Sequence, residues 1–183
     1  MKKIDTFIQY WRMKKAVACL PAGKLRVVDI GAHQGEFFGM IGERLQAGFG
    51  IEPLASERSE RRNYEIVPGF FPDIRPAGNG TWDAVTMLAV LEHVPMTQQP
   101  DLAKACHELL RTGGRLIITV PGPRVDSILS VLKFFRLIDG MSLEEHYGFS
   151  PADVEPVFTG AGFRLLKNKK FQFGLNNVYV FEK

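Results

Sequence analysis

Apolar residues recur along this chain with two alternating periods. Ile4, Phe7, Ile8 and Trp11 return at helical spacing and run into Pro21-Ala22-Gly23, which predicts an amphipathic helix and a turn over residues 1–23. Leu25–Ile30 is a short run rich in β-branched residues, the pattern of a strand buried on both faces. Phe37, Phe38, Ile41 and Leu45 resume the helical period as far as Gly48, which reads as a helix cap. Residues 49–52 then predict a second strand, residues 56–63 a polar helical turn or two, and residues 64–67 a third strand. Beyond a loop rich in Pro and Gly, Trp82–Leu88 predicts a fourth strand. A helix marked by Leu102, Cys106, Leu109 and Leu110 stops at Gly113-Gly114, and residues 115–120 make a fifth strand. Ser150-Pro151-Ala152-Asp153 has the form of a helix start, with Ser as the cap and Pro156 expected to kink or shorten the helix. Gly162 ends that helix, and residues 163–166 and 177–181 supply two last strands.

Strand and helix take turns almost throughout, so the expected architecture is α/β: a mostly parallel sheet with helices on both faces. Ligands in such sheets sit beyond the carboxyl ends of the strands, where the strand order switches. At 183 residues, with 45% hydrophobic and 23% charged positions, the chain has the composition of one soluble globular domain. The net charge of +3 is small and its basic residues are scattered, which gives no strong nucleic-acid signal. Cys19 and Cys106 show no metal-ligand spacing and read as reduced core residues of a cytoplasmic protein, with no metal expected. No apolar run is long enough for a signal peptide or a transmembrane segment, since residues 127–138 are broken by Lys133 and Arg136.

The stretch RVVDIGAHQGEF carries the first chemical signal. A strand ends at Asp29-Ile30 and the chain must turn at once into a helix beginning near Gly35, with Gly31 and Gly35 allowing positive φ and a close ligand approach. A dinucleotide fold would place glycines at three positions here; this chain has Gly31, His33 and Glu36. An acid at the third place repels a pyrophosphate, so an NAD-dependent oxidoreductase is the weaker alternative. A ligand with a zwitterionic tail and a ribose suits the turn better.

VVDIGAHQGEF resembles the first motif of the class I S-adenosylmethionine-dependent methyltransferases, with His33 in place of the middle glycine. Histidine is among the non-glycine residues enriched at left-handed backbone angles, so the turn survives the replacement. FGIEP, WDAVTMLAVLEHV, ELLRTGGRLIITVPGP, EEHYGFSPADVEPVFTGAGFRLL and NNVYVFEK are similar to later segments of that family, in the same order and over nearly the whole chain. The resemblance implies a single methyltransferase domain with a Rossmann-like three-layer sandwich, a seven-stranded sheet with an antiparallel last strand, and an acceptor-side helical insertion over residues 124–149. It implies S-adenosyl-L-methionine as cofactor, held by Asp29, Gly31, Ala32, His33, Gly35, Glu52, Pro53, Phe71, Asp73 and Ala89.

Each of these residues has a plainer reading beside the functional one. Asp29 either caps the turn or lies by the ligand's amino-acid end. Glu52 is a solvated acid after a strand, or the carboxylate that accepts both ribose hydroxyls. The loop around Phe70, Phe71 and Asp73 is a connector, or covers an adenine. Glu92 and His93 follow the fourth strand, where they either brace neighbouring loops or face the reacting methyl; His93 and His146 are the candidate proton acceptors, with Tyr147 beside them. The expected function is methyl transfer to a small-molecule, lipid or sugar acceptor; a non-catalytic member that binds the cofactor or a partner protein is the other alternative, and a homodimer is left open. The stretch VDSILSVLKFFRLI either packs as core or forms a lid over the acceptor.

Overall fold

The computed structural model describes residues 3–122 and 150–183, with side chains from Thr6 onward. The insertion expected over residues 124–149, with His146, Tyr147 and the VDSILSVLKFFRLI stretch, lies outside the described residues.

Helix α1 (Lys3–Val17) leads into β1 (Leu25–Ile30), α2 (Glu36–Ile41) and β2 (Leu45–Glu52). A two-residue β3 (Ser59–Glu60), β4 (Tyr64–Pro68) and β5 (Trp82–Leu88) come next, then α3 (Gln99–Leu109) and β6 (Leu110–Pro121). The chain closes with α4 (Val154–Gly160), β7 (Arg164–Phe171) and β8 (Asn176–Glu182). The sheet order is β3-β4-β2-β1-β5-β6-β8-β7. From β4 to β6 all pairings are parallel, while β8 runs antiparallel between β6 and β7. This is the Rossmann-like sandwich with seven expected strands; β3 adds a short antiparallel edge to β4.

Neighbouring residues on a strand point to opposite faces, and a sheet covered on both sides needs apolar residues at both parities. Val27 and Val28 show the consequence. Val27 joins Ala84, Ile117 and Val178 under α1 and α2, in a core that includes Ala16, Phe37 and Phe38. Val28 joins Val85, Leu116 and Ile118 on the other face, with Leu102, Cys106 and Leu109 of α3 and Phe158 of α4. Both cysteines are buried and free.

Four local expectations change. The second helix stops at Ile41, and Leu45 already belongs to β2, so Gly48 is not a cap. A Cβ at Gly48 would lie 2.6 Å from Cβ of Tyr64 and 2.9 Å from the Phe38 ring, so this glycine exists for strand packing. Residues 56–63 form no helix: Ser59 and Glu60 pair with Ile66 and Glu65, and Arg58 forms an ion pair with Glu65. Ser150 is one turn early as a cap. Its hydroxyl accepts from Ala152 N, and the helix begins at Val154, which puts Pro156 in the first turn, where a missing N–H breaks no helical bond.

Gly48→Ala should therefore destabilise by about 1–3 kcal/mol, the usual cost of overpacking. Gly23→Ala, at φ 87° but with no atom within 4 Å of its Cβ, should cost less. Urea unfolding of the two variants checks this, and equal losses would refute the packing account.

Candidate active site

The strand order switches between β1 and β5, since β2 and β4 lie to one side of β1 and β5 and β6 to the other. The glycine turn leaves β1 at that point. Gly31, His33 and Gly35 take φ values of 80°, 47° and 85°, so His33 adopts the left-handed angle that a glycine would otherwise supply. Gly31 is forced twice, because a Cβ there would also lie 2.5 Å from Val90 Cγ2 on the loop after β5. Gly35 has the same double reason, with the Tyr64 ring 2.9 Å away.

Every backbone N–H from Gly31 to Gly35 is already engaged. Gly31 and Ala32 both donate to Ile51 O at 2.8 and 3.1 Å, and Gly35 donates to Ala32 O at 2.8 Å. His33 N donates to Glu52 Oε2 at 2.8 Å, and Gln34 N to Glu36 Oε2 at 3.1 Å. A phosphate-binding turn aims such groups at its ligand. This one spends them inside the protein, and Glu36 occupies the helix start where a pyrophosphate would rest.

Instead the crevice presents carboxylates. Asp29 is buried, accepts from Thr86 Oγ1 at 2.6 Å, and is pushed up to about 7 by burial; the Thr86 bond opposes that, and the charges on Glu36 and Glu52 add to it. Partial burial also pushes Glu36 up, but bonds from its own backbone, from His33 Nδ1 at 2.8 Å and from Gln34 together hold it below the usual range. Glu52, half-buried at the end of β2, accepts from His33 N with one oxygen and from Leu54 N at 3.0 Å with the other. Each oxygen keeps a further lone pair, so the fixed carboxylate can accept two hydroxyls. The set suits a ligand that brings positive charge and hydroxyls.

Residues 7–168 match a family described as a methyltransferase domain. The chain belongs to this family. The family is that of the class I S-adenosylmethionine-dependent methyltransferases, whose cofactor is S-adenosyl-L-methionine. A ubiquinone biosynthesis O-methyltransferase of Pseudomonas aeruginosa is 29% identical over 106 residues, covering 54% of this chain. The chain spans less than half, 44%, of that relative's length. Among solved structures, the 1,6-didemethyltoxoflavin-N1-methyltransferase of Burkholderia thailandensis superposes with a TM-score of 0.69 at 17% identity, covering 98% of this chain and 81% of that one. The cyclopropane synthase MmaA2 of Mycobacterium tuberculosis gives 0.71 at 13%, covering 96% and 84%.

The chain gathers Asp29, Gly31, Ala32, His33, Gly35 and Glu52 around one turn. Ala32 is itself buried, its Cβ aimed at Gly50, so it contributes backbone only. Ala89 closes the opposite wall at φ 61°, its N–H donating to Thr119 O at 2.9 Å. Pro53 and Asp73 are exposed beyond the strand ends. The two phenylalanines divide their tasks: Phe71 packs into the core with Ile30, Ile51 and Met87, which leaves Phe70 as the exposed ring of that loop.

After β5 the short helical turn Leu91–His93 separates the pair expected at the acceptor side. His93 is exposed, whereas Glu92 is buried and pushed up to about 7 by burial, against its own backbone bond and the attraction of Arg12. Arg12 was absent from the sequence expectations. It sits on the inward stripe Ile8–Arg12–Ala16 of α1, and a cation on the buried side of an amphipathic helix was the available signal. Burial pushes its guanidinium down and Glu92 partly restores it; Arg12 Nε and Glu92 Oε2 are both buried with no hydrogen-bond partner among the described residues. Thr86 and Val90 were also missed, since neither a strand threonine nor a loop valine carries a chemical signature. A cavity of about 280 Å³ lined by Glu155, Lys170, Asn177 and Tyr179 lies across β6 and β8 from the turn, at the far edge of the sheet.

Two carboxyls held near 7 set a pH dependence. Unfolded, Asp29 and Glu92 would titrate near 4, so between about pH 4 and 7 the folded chain binds more protons and its stability falls as pH rises. Urea unfolding without cofactor should show that decline, at most about 1.4 kcal/mol per pH unit for each group. Asp29→Asn should flatten it; an unchanged slope in the variant would show that Asp29 is not the source.

Proposed function

We propose that this methyltransferase holds S-adenosyl-L-methionine across the carboxyl ends of β1, β2 and β5 and passes its methyl group in line to a small-molecule, lipid or sugar acceptor beside the loop Ala89–Glu92. The observation that carries the reading is the Glu52 carboxylate, fixed by two backbone N–H groups and still able to accept two hydroxyls.

The cofactor supplies an already activated methyl group on a sulfonium, so the chain's share is mostly binding, alignment and exclusion of water. Glu52 accepts from the ribose hydroxyls. Asp29 faces the amino-acid end, where an ammonium would favour its ionised form and offset the cost of burying that charge. Gly31 admits the ligand next to its backbone, with Val90 filling the space on the other side. Phe70 and Asp73 flank the adenine from their exposed loop. His93 stands at the mouth as the proton acceptor for an acceptor hydroxyl, with the buried Glu92–Arg12 pair fixing the turn that carries it.

The similar proteins named above include an O-methyltransferase, an N1-methyltransferase and a cyclopropane synthase, so likeness of fold leaves the acceptor atom open. The loop Ala89-Val90-Leu91-Glu92 lacks the Asn-Pro-Pro-Tyr-like tetrad suited to base or glutamine amino groups, which favours the smaller acceptor classes.

Calorimetry with S-adenosylhomocysteine tests the cofactor site. Glu52→Ala should weaken binding by roughly 1.5–3 kcal/mol, the range for hydrogen bonds to a charged group. Unchanged affinity would remove Glu52 from the ribose. His33→Asn keeps both the left-handed tendency and the backbone donor to Glu52, so it should retain most of the binding. Loss of turnover on an identified acceptor, with affinity intact, would instead move His33 to the acceptor side.

A further inference from the structure

At the carboxyl end of β6, on the α1 side of the loop after β5, the molecule carries an aromatic patch that takes no part in the cofactor site described above. Phe7, Tyr10 and Trp11 lie on the outer side of α1, with Phe7 61% and Tyr10 51% exposed. Phe173, at the apex of the turn between β7 and β8, is 97% exposed. The rings form one surface: Phe7 and Trp11 are 5.8 Å apart, and Phe173 meets Trp11 edge-on at 6.2 Å.

The backbone holds Phe173 outward at a cost. Gln172, Phe173 and Gly174 take φ values of 51°, 57° and 86°, three left-handed residues in succession, of which only the last is glycine. The buried Gln172 side chain secures this turn, its amide donating to Ile8 O at 2.8 Å while its oxygen accepts from Asn176. Strain of this kind persists where the surroundings over-determine it and often marks a functional position.

Charge identifies the occupant. From Phe7 to Val17 and from Lys167 to Phe181 the sequence has no carboxylate, yet Lys14, Lys15, Lys167 and Lys169 lie there; Lys170 turns to the opposite face of β7, where it lines the cavity with Glu155. Lys167 and Lys169 pair with Val180 and Val178, which face α1, so they project on the helix side of the edge strand; Lys167 Nζ is 3.8 Å from Cys19 Sγ. Two copies meeting through this patch would repel each other. A groove for nucleic acid would place rings along its floor, whereas these stand at the apex of a turn and on an outer helix face. Aromatic rings at a protruding edge, flanked by lysines without acids, match the chemistry of an anionic bilayer surface.

We propose that this edge docks the protein peripherally on anionic lipid, with Phe173, Phe7 and Tyr10 entering the headgroup region and the lysines meeting lipid phosphates. No helix among the described residues is long and apolar enough to cross a membrane, and docking of this kind needs none.

Co-sedimentation of the full chain with phosphatidylcholine vesicles, with and without phosphatidylglycerol, tests this. The wild type should bind the anionic vesicles, release with added salt, and bind pure phosphatidylcholine roughly tenfold less or weaker. Phe173→Ser with Phe7→Ser should reduce binding roughly tenfold with thermal stability kept, and Lys14→Glu with Lys169→Glu should do the same through charge alone. No binding to anionic vesicles, equal binding to both kinds, or unaffected binding by both folded variants would overturn the proposal. Tighter binding to a single-stranded oligonucleotide than to the vesicles would also overturn it.

Discussion

The glycine turn can lie flat on β2 only because Gly50 has no side chain. A Cβ at that position would fall 2.7 Å from Cβ of Ala32, and the turn would have to rise off the strand. With the turn seated, Gly31 and Ala32 share the Ile51 carbonyl, and the next residue of β2, Glu52, arrives at the His33 amide. The ends of β1 and β2 thus become one rigid rim, and Val90 presses on Gly31 from the β5 side. The Glu52 carboxylate and the loop after β5 both meet that rim.

Electrostatics then separates this site from a nucleotide-phosphate site of similar outline. A turn that consumes its own N–H groups and gathers Asp29, Glu36 and Glu52 has little to offer an anion. Burial above all, with the charges on Glu36 and Glu52 adding to it, makes Asp29 resist ionisation, and a cation-bearing ligand would offset that cost. On the other side of the switch point Arg12 of α1 and Glu92 of the loop after β5 place a second pair of opposite charges in buried surroundings. Charges buried in this way add little net stability.

Much of this was legible in the sequence. The alternation of periods gave the layers and strand set, and the run Asp29 to Glu36 located the turn, because its glycines and its histidine answer to backbone angles that are local properties. What could not be read was tertiary in origin. Gly48 looked like a cap because the neighbours that exclude its Cβ, Tyr64 and Phe38, are distant in sequence from one another. Phe70 and Phe71 are adjacent, and only the path of the loop decides which of them enters the core. Arg12 pairs across 80 residues with Glu92, a relation that no local pattern announces.

The central claim is that the rim between β1 and β2 is the seat of S-adenosyl-L-methionine. A crystal structure of the protein with S-adenosylhomocysteine tests it most directly. The account predicts both ribose hydroxyls within hydrogen-bonding distance of the Glu52 carboxylate, the amino-acid tail beside Gly31 and Asp29, and the sulfur directed toward the loop after β5. A ribose bound away from Glu52, or a tail seated elsewhere with the turn unchanged, would contradict it.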